Sequence, residues 1–359
     1  MARANYYGLI LAGGRGTRFW PRSRKRHAKQ VLNVTGERTL IQATVDRLAP
    51  VIPPERIWIL TNDFVRDEIV RQLPEVPQSQ IIAEPAQRNT APAIALAAHI
   101  LHSIDPKAVF GVFPSDHVIG APKRYLQFVR GAFRAAEKGR IAVLGIQPRW
   151  PETGYGYIEF PKGATAGSTD ALDVASFREK PDLKTAKKFF RAGRYFWNAG
   201  MFFWKAETVL NAMRRYQPKT ATLISSLPAY AHPDFATKLS EVFPLCESIS
   251  VDYGIIEHAA NVAGLACDEF GWNDVGSWNA VYELMTLDAN SNAARSELVC
   301  NDSTGNYIDC GKKLVALLGV KDLIIVDTPD ALLVADRSRA QQVGDIVKLL
   351  EKNKREELL

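Results

Sequence analysis

The residues best suited to chemistry come early, in Leu11-Ala12-Gly13-Gly14-Arg15-Gly16-Thr17-Arg18. Glycines let backbone N–H groups come close to phosphate oxygens. Seven cations from Arg15 to Lys29 surround this turn, and residues 1–36 contain no Asp or Glu, with Arg3 adding to the excess. The net charge of +6 therefore gathers near one loop, which needs an anionic partner or bulk water. Arginines placed straight after a glycine cradle suit polyphosphate: the side chains supply charge and the backbone supplies shape. The loop is not a Walker A motif, because no Gly-Lys-Ser/Thr follows. It is not a dinucleotide fingerprint either, because Phe19 stands where the third glycine belongs. A nucleic-acid patch would interleave exposed aromatics with the cations, and only Phe19 and Trp20 are present. No nucleic-acid partner is expected.

A second chemical group follows the apolar run Ala108–Phe113: Pro114-Ser115-Asp116-His117. An Asp just past the C-terminal end of a strand in a parallel sheet lies where ligands bind, although alone it could equally cap a helix.

These residues need a scaffold. Gly8–Leu11, Ile57–Leu60, Ile81–Ala83, Ala108–Phe113 and Ile141–Leu144 read as buried strands. Thr39–Leu48, Asp63–Leu73, Thr90–Ser103 and Lys123–Lys138 read as helices between them, with Ile94, Ala97, Ala98 and Leu101 at helical spacing. Such alternation predicts an α/β fold, a Rossmann-like domain whose mostly parallel mixed sheet carries helices on both faces. After Asp288 the texture changes. Turn clusters at Asn290–Asn292, Asn301–Gly305 and Thr328–Asp330 separate β-rich runs at Leu314–Val320, Leu323–Val326 and Ala331–Ala335. This predicts a domain over 1–287 and a small β-rich, β-helix-like domain over 288–359 that ends in a charged helix near Gln341–Glu357, with no fixed-period repeat.

The bulk properties agree. At 359 residues and 47% hydrophobic, the chain can bury a sizeable core. It has no apolar stretch of membrane-spanning length and no signal peptide before the first strand, so a cytoplasmic location without a membrane partner is expected. Cys246, Cys267, Cys300 and Cys310 lack C-x-x-C spacing, which argues for buried free thiols rather than a zinc site or a disulfide framework.

The motif Leu11-Ala12-Gly13-Gly14-x-Gly16-Thr17-Arg18, then Trp20-Pro21-x-Ser23-Arg24 and Lys29-Gln30, resembles the signature of sugar-nucleotide pyrophosphorylases, in the variant of the mannose-1-phosphate guanylyltransferase branch. That branch usually has Pro before Lys-Gln, where this chain has Ala28. The resemblance runs from about residue 8 to 335. It implies GTP and mannose 1-phosphate as substrates, Mg²⁺ as cofactor and a homodimer. Many bacterial relatives carry an extra C-terminal isomerase domain, for which this chain ends too early, so no phosphomannose isomerase activity is expected.

Carried onto this sequence, the resemblance makes Leu11 to Thr17, Glu84, Asn89, Thr90 and Ser115 nucleotide-binding. Glu84, in Glu84-Pro85-Ala86-Gln87-Arg88-Asn89, is the expected guanine acceptor: a carboxylate can take both N1–H and N2–H, with Asn89 as an orienting amide. Trp272-Asn273-Asp274-Val275-Gly276-Ser277-Trp278 matches a family motif, so Asp116 and Asp274 are expected to hold Mg²⁺, which takes one or two carboxylates plus substrate phosphates. His117 either orients Asp116 or is structural. Gly154 and Tyr155, in Pro151-Glu152-Thr153-Gly154-Tyr155-Gly156, Glu179 in Glu179-Lys180-Pro181, and Asn198 are expected at the sugar. Asp252 either contacts it or supports the site. Arg18 is expected on the β/γ-phosphates, Lys29 on these or on the α-phosphate, and Lys180 on the sugar phosphate. No general base is needed, because a phosphate monoester is already largely ionised at neutral pH.

Overall fold

The computed structural model describes residues 6–359. The readings that involve residues 1–5, Arg3 and the start of the chain among them, lie outside the described residues.

The first βα units form as their patterns predict. Strands β1 (Tyr6–Leu11), β2 (Ile57–Thr61), β3 (Ile81–Ala83) and β4 (Val109–Pro114) alternate with helices α1 (Leu40–Leu48), α2 (Asp63–Gln72) and α3 (Thr90–Ile104). Thr39 starts α1 with a reciprocal capping box to Gln42, satisfying two N–H groups that the helix leaves open. The short strand β5 (Val118–Ile119) precedes α4 (Pro122–Glu137) and β6 (Ile141–Ile146). Then come β7 (Tyr157–Glu159), β8 (Leu172–Asp173), β9 (Ser176–Arg178), α5 (Leu183–Ala192) and the long β10 (Tyr195–Lys205). Helices α6 (Ala206–Tyr216), α7 (Pro218–Ser225) and α8 (Phe235–Val242) lead to β11 (Val262–Cys267), β12 (Trp272–Asn273) and α9 (Trp278–Leu284).

The large sheet runs β3-β2-β1-β4-β10-β6-β11-β8, with β7 and β9 extending from β10. Its β3-β2-β1-β4 half and the β6–β11 pair are parallel, whereas β10 lies antiparallel between β4 and β6. Successive residues face opposite sides of a strand, so Ile10 enters one apolar layer with α1, α2 and α4, while Leu9 enters the other with α3, α6 and α7. Helix α3 is buried nearly all round, more than its one-face pattern implies, because α6 and α7 cover it on the side away from the sheet.

The C-terminal region winds as a coil. Strands β13 (Ala293–Ala294), β14 (Leu298–Asn301), β15 (Tyr307–Asp309), β16 (Val315–Leu318) and β17 (Leu323–Asp327) pair in parallel as β13-β15-β17 and β14-β16, and β18 (Leu332–Asp336) closes one edge antiparallel. The charged helix is shorter than predicted: α10 spans Val343–Lys352 and follows a 3₁₀ segment over Arg337–Gln342. A third apolar cluster joins the two regions, packing Phe19, Trp20 and Leu40 against Trp278, Tyr307 and Val347. All four cysteines are free; three are buried, and Cys300 is partly exposed rather than buried as expected. Among the described residues no helix is long and apolar enough to cross a membrane.

Candidate active site

The glycine turn leaves the C-terminal end of β1 and is held from beneath. Gln30 donates from Nε2 to the Ala12 carbonyl at 2.6 Å and to the Gly14 carbonyl at 3.2 Å, and Thr61 Oγ1 donates to the same Ala12 oxygen at 3.0 Å. Gly16 sits at φ +63°, where an added Cβ would fall 2.4 Å from Lys29 Cβ. Only glycine meets both the left-handed backbone and this contact. Ala28 has φ −66°, an angle that a proline there would also adopt.

Lys29 is the junction. Its side chain is 6% exposed, and Nζ donates to Asp116 Oδ2 at 2.9 Å and to the Asp274 carbonyl at 2.8 Å. The two acids, far apart in the chain, meet because β5 and β12 pair antiparallel, with Val118 opposite Asn273 and Ile119 opposite Trp272. Asp274 turns back through Val275 at φ +48°, where the Val275 N–H donates to Asn273 Oδ1 at 2.7 Å. Burial raises the Asp116 carboxyl, but the Lys29 charge and then His117 outweigh it and hold it below its usual value. Burial pushes His117 down to about 4 against the fields of Asp116 and Asp274. A neutral His117 accepts from Trp272 Nε1 at Nδ1, 3.2 Å away, so its proton is on Nε2. It makes no hydrogen bond to Asp116 among the described residues, which favours the structural alternative.

Two recesses flank this junction. One, of about 500 Å³, is lined by Leu11, Gly13, Gly14, Glu84, Asn89 and Thr90, and reaches Ser115 and Asp116. Ser115 is buried and anchored by its N–H on the Leu11 carbonyl at 3.2 Å. Glu84 stands against Gly13, and burial lifts its carboxyl to about 8. Asn89 has its Oδ1 engaged by the Thr90 N–H at 2.8 Å, so it caps α3, and Thr90 Oγ1 accepts from the Val251 N–H at 2.9 Å. The other recess, about 720 Å³, holds Arg18, Gly154, Tyr155, Lys180 and Asp274. Thr17 opens the 3₁₀ turn that carries Arg18 and packs toward Gly344.

Several expected sugar-side groups already have partners. Tyr155 donates its hydroxyl to Asp274 Oδ1 at 2.8 Å, and the Gly154 N–H donates to Glu152 Oε1 at 2.8 Å. A bulge in β10 between Asn198 and Phe202, with Gly200 at φ +66°, turns Asn198 toward Asp252; Nδ2 donates to Oδ1 at 2.8 Å. Asp252 begins a π-helical turn, Asp252–Ile256, and burial raises its carboxyl. Glu179 stands beside them, with Oε1 3.5 Å from Lys180 Nζ and Oε2 buried without a hydrogen-bond partner among the described residues. A Cβ at Gly156 would lie 2.3 Å from that Oε2. Burial first, then Asp252, lifts Glu179 to about 7.

Sequence reasoning missed Gln30 as the prop of the glycine turn, Tyr155 as a partner of Asp274, and Glu152. The loop's excess of cations called for an anionic partner or bulk water, and the structure supplies part of that partner: Arg15 pairs with Glu351 at 2.8 Å, Lys25 with Glu356 at 2.5 Å, Arg24 with Asp330 at 3.0 Å, and Arg22 with buried Asp309. The anionic partner of much of the loop is the C-terminal region itself.

Among the described residues no group of three or more His, Cys, Asp or Glu side chains could hold a metal alone. Asp116 and Asp274 each have one oxygen engaged, by Lys29 and Tyr155, and one free of side-chain hydrogen bonds. One unengaged carboxylate oxygen on each acid suits a hard cation, which takes one or two carboxylates and completes its shell with water and substrate oxygens.

A glycine turn at the C-terminal end of the parallel strand β1, with Asp116 beyond parallel β4 and Asp274 beyond β12 joined through Lys29, outlines a nucleotide-handling site. Residues 7–291 match the nucleotidyl transferase family, and residues 296–350 match the MannoseP isomerase/GMP-like beta-helix domain. A mannose-1-phosphate guanylyltransferase of Escherichia coli (strain K12) is 37% identical over 365 residues, covering 99% of this chain and 76% of the relative. The xanthan biosynthesis protein XanB of Xanthomonas campestris (strain B100) is 38% identical over 353 residues, covering 97% and 74%. A solved structure from Thermus thermophilus, described as a mannose-1-phosphate geranyltransferase, matches with a TM-score of 0.85 at 33% identity, covering 97% of this chain and 99% of that one. This chain belongs to the nucleotidyl transferase family, within its mannose-1-phosphate guanylyltransferase group.

Proposed function

We propose that the chain transfers GMP from GTP to α-D-mannose 1-phosphate, giving GDP-mannose and pyrophosphate. A phosphate oxygen of the sugar phosphate attacks the α-phosphorus of GTP in line; the bond from that phosphorus to the β-bridging oxygen breaks, and pyrophosphate leaves with the electron pair. One phosphoanhydride replaces another, so no proton transfer is required and the step is reversible.

The observation that carries this reading is the Lys29 ammonium, which joins Asp116 to the Asp274 backbone beside the glycine turn. Catalysis of such a step is chiefly positioning and charge stabilisation. The Gly13–Gly16 backbone with Arg15 and Arg18 cradles the leaving phosphates. Lys29 holds the two acidic loops in register, a role that needs no direct phosphate contact. Lys180 steers the incoming sugar phosphate. Glu84 accepts from the guanine edge, and Glu179, Asn198 and Asp252 form the hexose side. Mg²⁺ held by Asp116 and Asp274 would supply positive charge next to the phosphates.

The exposed apolar side chains Val299, Leu318, Leu332 and Val334 on the C-terminal coil support a homodimer through that region, and a reaction that draws on GTP fits a cytoplasmic enzyme. The test is pyrophosphate release with Mg²⁺, comparing GTP with ATP and UTP, and mannose 1-phosphate with other sugar 1-phosphates, a heptose among them. GTP with mannose 1-phosphate is expected to give the highest kcat/KM; a different best pair would replace the substrate assignment.

A further inference from the structure

Two of the loop cations, Arg15 and Lys25, line a further recess of about 320 Å³ that adjoins the nucleotide recess, sharing Gly13, Glu84 and Gln87 with it. Both are held by acids from one segment: Arg15 Nη2 lies 2.8 Å from Glu351 Oε1, and Lys25 Nζ lies 2.5 Å from Glu356 Oε2. The same segment accepts a hydrogen bond from Trp20 Nε1 at the Leu358 carbonyl, 3.0 Å away. Val343, Val347 and Leu359 are buried in one cluster with Phe19 and Trp20. Segment and loop are thus fixed to each other by apolar contact, and the acids sit on the fixed part.

Each acid engages only part of its cation. Glu351 contacts one guanidinium nitrogen of Arg15, and a lysine ammonium has three donors. The remaining donors stay available to an anion. Arginine and lysine side chains carry much rotamer freedom, and a cation already held in place loses less of it when a ligand arrives.

We propose that Glu351 and Glu356 are positioning residues for the polyphosphate of GTP, acting through Arg15 and Lys25, so that the C-terminal helical segment is part of the nucleotide site. This rests on the polyphosphate reading of the glycine turn given above. The pair Arg24–Asp330 joins the same loop to the same region but does not line the recess, which makes it an internal control.

The test is calorimetric binding of GTP to the full chain. Exposed ion pairs are individually weak, so Glu351→Gln and Glu356→Gln are each expected to raise the Kd for GTP about two- to fivefold, and the pair together more than either. The KM for mannose 1-phosphate should not move, and Asp330→Asn should leave GTP binding unchanged. In an Arg15→Gln background, Glu351→Gln should have no further effect, a result that a merely structural role of Glu351 would not produce. GTP binding that is unchanged or tighter in Glu351→Gln overturns the proposal; tighter binding would mean that the acid withholds Arg15 from the nucleotide. A wild-type chain that fails to bind GTP removes the parent reading and this one together. A wild-type chain that binds normally while both acid substitutions are silent removes this one alone.

Discussion

Gly16→Ala is the smallest change that should disturb the whole site. The new methyl group would lie 2.4 Å from Lys29 Cβ and 3.0 Å from Lys29 N, and φ is +63°. Placing alanine in the left-handed region costs roughly 1–2 kcal/mol. Relieving the overlap costs roughly another 1–3 kcal/mol, because neither neighbour is the flexible end of a side chain. The sum, about 2–5 kcal/mol, is a large part of the stability of an ordinary domain. Lys29 must move to make room, and its Nζ holds Asp116 and Asp274. Activity should therefore fall along with stability. Gly14→Ala is the matched control: nothing lies within 4 Å of its added Cβ, and its φ is outside the left-handed region. It should stay within about 1 kcal/mol of wild type. Guanidinium unfolding midpoints for both variants decide the matter. A Gly16→Ala protein as stable as Gly14→Ala would show that the turn is looser than described.

Lys29→Met should cost about 1.5–3 kcal/mol, the range for a hydrogen bond to a charged group, and should weaken activity even with saturating GTP. Asp116 is held low against burial by Lys29, so its contribution to stability is present above the usual carboxylate range and is lost as pH falls through its lowered folded value. With Lys29 gone, burial acts against a weaker opposing field, and acid unfolding should begin at a higher pH; an unchanged acid midpoint would count against the pairing. Glu84, lifted to about 8 by burial, is protonated in the free protein at neutral pH. If it accepts from guanine as a carboxylate, GTP binding near pH 7 should release a proton, measurable as a dependence of binding enthalpy on buffer ionisation; the absence of that dependence would refute the role. Because the folded value lies above the unfolded one, ionising Glu84 destabilises the free fold as pH rises from about 4.5 to about 8. Glu84→Gln should remove that slope.

The sheet's first half was legible because its strands and helices are short, strongly patterned and joined by tight turns. The limits of the pattern are physical. Strand β10 was missed: its eleven residues are aromatic-rich and interrupted by Gly200, whose positive φ accompanies the bulge that aims Asn198. The coil showed no repeat because its paired rungs lie 14 to 17 residues apart and are too irregular for a fixed period. The glycine turn and the two key acids stood out through their motifs. Their environments did not, since Lys29, Tyr155 and Asp274 meet only through contacts more than a hundred residues apart. The partners of the loop cations were the least legible feature: their acids lie near the other end of the chain, beyond any local pattern.

The central claim is that Asp116 and Asp274 act together beside the glycine turn. Its most direct test is pyrophosphate release from GTP and mannose 1-phosphate by Asp274→Asn at increasing Mg²⁺. The substituted side chain preserves shape and, through its carbonyl oxygen, the hydrogen bond from Tyr155. Such a protein should fold and bind GTP, yet turn over at least about a hundredfold more slowly, the loss associated with removing one charge-stabilising group. Wild-type turnover in that variant, with an unchanged Mg²⁺ requirement, would contradict the account.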